Sequence, residues 1–96
     1  MDKQAIIKQL KKVKPAFSEK YGITELALFG SYSRNEETDK SDIDILVSYK
    51  NPLGLNFFDM VYELEDLFKN KTIQVVSRGA IKPKYFDRIK EDLIYA

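Results

Sequence analysis

The chain has 96 residues, 44% hydrophobic and 32% charged, with a formal net charge of +1. That length predicts a single domain over residues 1–96, with a modest core of the kind often supplemented by a partner chain or an oligomer, and the composition excludes a disordered polymer. With no Cys and no His, disulfides, a thiolate nucleophile, the commonest general base and the commonest zinc ligand are all excluded, so any metal would be a hard cation held by oxygen.

A net charge so near zero argues against general nucleic-acid binding. The charge is unevenly spread: residues 1–20 carry +4, residues 21–70 carry −6 and residues 71–96 carry +3. The basic ends could meet the acidic middle, recruit an acidic partner or attract a triphosphate, or they could be solvated helix faces. Neither the N-terminus, Met1-Asp2-Lys3-Gln4, nor any other window has the apolar length of a signal peptide or a membrane span, so a cytoplasmic location is expected.

Ile6, Leu10, Val13 and Phe17 recur at helical spacing between lysines and predict an amphipathic first helix. Pro15 should kink or restart it, and Gly22 should stop it. A first strand follows over about residues 25–29, then a polar stretch opening with a short helix over residues 31–35. A second strand is expected over residues 42–48. Phe57, Val61, Leu64 and Phe68 predict a second amphipathic helix, and the β-branched run Thr72-Ile73-Gln74-Val75-Val76 a third strand. Phe86, Ile89 and Leu93 mark a final helix reaching towards Tyr95. Phe29, Phe57, Phe58, Phe68 and Phe86 read as core, while Tyr32 is open between packing and stacking.

This order describes an α/β (α+β) fold, a small mixed sheet with flanking helices. A long helical connection makes strands two and three parallel, and the shorter one leaves strands one and two free to be antiparallel. The end of strand one and the starts of strands two and three then converge, bringing Gly30, Ser31, Asp42, Asp44 and Gln74 together.

Ten residues separate Gly30-Ser31 from Asp42-Ile43-Asp44. Glycine lets backbone N–H groups approach an anion, and the N-cap position of Ser31 is where a phosphate sits. Arg34 could turn back to a triphosphate or pair with Glu36 or Glu37. Alternation along a strand puts Asp42 and Asp44 on one face, where they repel unless a cation neutralises them. Magnesium suits such a pair, since it takes one or two carboxylates plus phosphate oxygens. Each signal alone has an ordinary structural reading, as a turn, a cap or solvated acids; together they point to a metal–nucleotide site.

The runs Leu28-Phe29-Gly30-Ser31-Tyr32-Ser33-Arg34 and Ser41-Asp42-Ile43-Asp44-Ile45-Leu46-Val47 closely resemble the minimal nucleotidyltransferases of the DNA polymerase β-like superfamily. The likeness covers nearly the whole chain. It implies the polymerase β-like nucleotidyltransferase fold and transfer of a nucleoside monophosphate, often AMP from ATP, with two Mg2+ ions and release of pyrophosphate. It also implies an antitoxin role beside a HEPN-domain partner that is modified or bound. The family carries a third carboxylate on strand three, in a run resembling Lys-Val-Asp-Leu-Val, and Gln74 stands in its place here. An amide offers one neutral oxygen and accepts no proton near neutral pH, so the second metal should be weakened and binding should survive better than turnover. The expected site is therefore Asp42, Asp44 and Gln74 for catalysis, with Asp42 and Asp44 as metal ligands and Gly30, Ser31 and Arg34 at the nucleotide. Two alternatives stand beside this reading: a degenerate binding module that neutralises a partner by contact, and a subunit serving a small acceptor such as an aminoglycoside.

Overall fold

The computed structural model describes residues 1–96. The order of elements is α1 (Lys3–Tyr21), β1 (Ile23–Phe29), β2 (Ile43–Tyr49), α2 (Asn56–Leu67), β3 (Ile73–Ser77), α3 (Pro83–Ile89) and β4 (Ile94–Tyr95). The strands form one mixed sheet in the order β3-β2-β1-β4. β1 is antiparallel to β2 and β4, while β2 and β3 are parallel, as the helical connection between them requires.

Alternation along the central strands sorts their side chains to two faces. Leu26, Leu28, Ile43, Ile45 and Val47 pack with Ile6, Leu10 and Phe17 of α1 and Met60 and Leu64 of α2. Ala27, Phe29 and Leu46 form a smaller cluster on the other face with Ile89 of α3, flanked by Val76 and Phe86. Asp44 shares the parity of Leu46, and Gln74 that of Val76, so both polar side chains extend from the α3 face, beyond the apolar cluster.

Four expectations change. α1 runs on through Pro15 as one helix and does not restart there. The lost N–H bond frees the carbonyl of Lys11, and both residues are exposed, so solvent satisfies it. Instead of a short helix, residues 31–35 form a single turn, closed by Asn35 at φ 58°, a left-handed conformation that a helix does not continue through. The last helix stops at Ile89, and the segment after it becomes β4. Ile94 and Tyr95 pair with Leu28 and Ala27 on the free edge of β1, and the Ala96 N–H donates to the Leu26 carbonyl at 2.8 Å. Phe58, finally, is not core but 56% exposed. No helix is long and apolar enough to cross a membrane.

Candidate functional site

The end of β1 and the starts of β2 and β3 lie side by side. Phe29 is opposite Asp44, and Asp44 is in register with Gln74. Gly30 has φ 79°, and a Cβ built on it would collide with the Asp44 carboxylate, 3.1 Å from its carboxyl carbon. The glycine is thus required twice, for its backbone conformation and for the carboxylate resting on its Cα.

After Gly30 the chain turns at once. The Ser33 and Arg34 N–H groups donate to the Gly30 carbonyl at 3.1 and 3.3 Å, and the Glu36 N–H donates to Ser31 at 2.9 Å. The buried Ser33 hydroxyl also donates to the Gly30 carbonyl, at 2.8 Å. The N–H groups of Gly30, Ser31 and Tyr32 donate to no backbone carbonyl, and those of the half-exposed Gly30 and Ser31 could meet an anion at the start of the turn. Tyr32 is buried at 1% exposure, which makes it a packing residue that anchors the turn.

Asp42 is delivered by a second turn, in which the Ser41 N–H donates to the Thr38 carbonyl at 3.0 Å and the Ser41 hydroxyl accepts from the Thr38 N–H at 2.9 Å. Burial pushes the Asp44 carboxyl above its ordinary proton affinity, and the negative charge of Asp42 pushes it further; the Arg34 charge opposes both. Gln74 Nε2 donates to Asp42 Oδ2 at 3.3 Å. The amide supports Asp42 in this orientation and must turn over to offer its oxygen to a cation.

Arg34 lies beside the turn, engaged on both sides of its guanidinium. Nε donates to Glu36 at 2.9 Å and Nη1 to Asp92 at 2.6 Å. The pairing with Glu36 follows from sequence proximity. Asp92 is 58 residues away and carried no signal; it belongs to the site's support because the segment leading into β4 returns beside β1. Ser33 was likewise missed, since a Ser inside a turn looks like any other turn residue.

This donor set suits a hard divalent cation: two half-buried carboxylates repel each other, one is held above its usual proton affinity, and Gly30 leaves room against it. No group of three or more acids that could hold a metal ion forms here or elsewhere. The two clefts of the molecule are lined by other residues.

Residues 10–96 match the family model described as a nucleotidyltransferase domain. A protein of Methanocaldococcus jannaschii named "Putative protein adenylyltransferase" is 50% identical over 88 residues, covering 90% of this chain and 89% of the relative. Protein adenylyltransferase MntA of Thermococcus cleftensis is 30% identical over 83 residues, covering 85% and 83%. Among solved structures, one titled as a "putative minimal nucleotidyltransferase" superposes with a TM-score of 0.80 at 23% identity, covering 98% of this chain and 95% of the other. A toxin–antitoxin crystal structure with AMP-PNP gives 0.71 at 20% identity, covering 99% and 72%. The mixed sheet with three helices is the fold of these minimal enzymes, and the chain belongs to the nucleotidyltransferase domain family.

Proposed function

We propose that this protein is a magnesium-dependent nucleotidyltransferase that transfers a nucleoside monophosphate, AMP from ATP, to a hydroxyl of a protein partner. In this reading it is the antitoxin of a toxin–antitoxin pair whose other member is a HEPN-domain protein. One observation carries the proposal: Asp44, with Asp42 beside it, rests against a glycine turn whose first N–H groups make no backbone hydrogen bond and are free for phosphate. Relatives named for protein adenylylation and toxin–antitoxin neighbours support the choice of acceptor.

In the proposed reaction the acceptor oxygen bonds to the α-phosphorus, and the bond from that phosphorus to the pyrophosphate oxygen breaks. Pyrophosphate leaves with the electron pair, and the hydroxyl proton passes to Asp42, Asp44 or water. The turn at Gly30-Ser31 would hold the phosphates, while Asp42 and Asp44 would hold Mg2+. Two ions are expected, the second weakened by Gln74, and they supply charge neutralisation at the phosphate oxygens. Arg34 is poised at the edge of the turn and reaches the triphosphate only by releasing Asp92 or Glu36.

Gln74 favours the second reading, a degenerate member of the family that binds nucleotide and neutralises its partner by contact. One experiment separates the two: incubation with α-labelled ATP, Mg2+ and the purified product of the adjacent gene. Label on the partner, lost in Asp42→Ala and Asp44→Ala, is the expected result. ATP binding without label transfer, with neutralisation persisting in the Asp42→Ala/Asp44→Ala double variant, would establish the contact mechanism instead.

A further inference from the structure

α2 has two apolar stripes, and only one of them has a partner inside the fold. Met60 and Leu64 face the core with Phe68 at the helix end. Leu55, Phe58 and Tyr62 follow one another at steps of three and four, so they line one face, and they are 81%, 56% and 64% exposed. Leu55 stands at the N-cap of the helix and makes no side-chain capping bond, so helix formation does not explain a leucine there. The stripe borders a cleft of about 480 Å³ between Lys20–Tyr21 and Asn56, Asp59, Tyr62 and Glu63.

The charge within α2 has one sign. Asp59, Glu63, Glu65 and Asp66 lie in α2, which contains no base. Glu63 is already neutralised by Lys20 at 3.2 Å and by the Tyr21 hydroxyl, whereas Asp59 has no base within salt-bridge distance. Two copies of this chain meeting α2 to α2 would set these acids against one another across a desolvated contact. A protein of opposite sign has no such penalty.

We propose that the Leu55–Phe58–Tyr62 face of α2 is the docking surface for the partner protein, which meets it with an apolar helix face flanked by Lys or Arg and places one cation beside Asp59. The proposal rests on the reading that the acceptor is a protein. This face lies near Tyr21 and the start of β1, and β1 reaches the carboxylates only at its far end; seven residues of strand span roughly 20 Å. The partner is therefore anchored at one end of the sheet while its acceptor group extends to the other, and docking leaves the nucleotide site uncovered.

The test is titration calorimetry of the wild-type protein, Phe58→Ser/Tyr62→Ser and Asp59→Lys against the purified product of the adjacent gene, with ATP–Mg2+ binding measured in parallel. The double variant should weaken partner binding by about tenfold or more. Asp59→Lys should weaken it less and flatten its salt dependence, and ATP binding should be unchanged in both. The altered residues are exposed, and if the double variant fails to fold, Leu55→Ser takes its place. Partner binding indifferent to all three substitutions overturns the docking face and leaves the protein-acceptor reading intact. No binding by the wild type overturns both. A wild-type dimer that Phe58→Ser/Tyr62→Ser converts to a monomer assigns the face to a second copy and overturns the proposal.

Discussion

Asp44 and Glu63 stand at opposite ends of β1 and are treated in opposite ways. Glu63 accepts from the Tyr21 hydroxyl and pairs with Lys20, and its proton affinity is lowered, the Tyr21 bond being the largest cause. Asp44 is desolvated against Gly30 beside a second carboxylate, and its proton affinity is raised. A fold that gives one acid a cation and a hydroxyl donor but leaves another half-buried against its own kind marks the second as a candidate ligand group. Glu63 belongs to the structure; Asp44, pressed against Gly30 beside Asp42, is where the proposed cation would bind.

The comparison breaks most decisively at the carboxylates. Asp42→Ala and Asp44→Ala should each lower nucleotidyl transfer by about 100-fold or more, since losing a metal ligand exceeds the 10–100-fold cost of losing its outer-shell support. Tyr21→Phe should leave transfer within about twofold, on the same principle that only groups touching the reacting atoms carry its rate. Equal losses in a labelled-ATP assay would mean that the two ends are not separate.

Gly30→Ala is expected to come next. The left-handed backbone costs a side chain about 1–2 kcal/mol, and the new Cβ must displace the Asp44 carboxylate. Chemical denaturation should show the stability loss, and Mg2+-dependent ATP binding should weaken along with it. Gln74→Asp moves in the other direction. It adds a third carboxylate beside Asp42 and Asp44, so it should raise Mg2+ affinity and transfer while lowering the stability of the metal-free protein through added repulsion.

The two ends also differ in how much of them the sequence could reveal. Gly30-Ser31 and Asp42-Ile43-Asp44 were legible because their chemistry is local: a turn at a strand end, alternation along the next strand, and a helical connection that fixes the direction of the third. The periodicities of α1, β1, β2, α2 and β3 were legible for the same reason. β4 was not, because two residues carry no pattern and Ile94-Tyr95 is a strand only by pairing with β1. Arg34–Asp92 and Tyr21–Glu63 depend on contacts 58 and 42 residues apart in sequence. Phe57 and Phe58 are neighbours about 100° apart on one helix, and burial of the first left the second outside. Composition could not say which of the two would face the core.

The smallest expected effect is the pH dependence of stability, and it tests the contrast without any catalytic assay. Glu63 titrates below its ordinary value of 4.5 in the folded protein, so its stabilisation is complete above that value and fades as pH falls through the lowered one. Tyr21→Phe removes the hydrogen bond and should cost about 1 kcal/mol at neutral pH, a difference that should shrink in acid. For Asp44 the sign reverses. Its folded-state affinity lies above the ordinary 3.8, so its relative stabilisation is complete below that value and is lost as pH rises through the raised one. In chelator, Asp44→Asn should therefore be more stable than the wild type at neutral pH, with the gap closing as the medium is acidified. Added Mg2+ should then stabilise the wild type and leave the variant nearly unmoved, because only the wild type retains both carboxylates. Wild-type protein that is the more stable of the two in chelator at neutral pH would mean that Asp44 is already satisfied and that its end of the sheet holds no place for a cation.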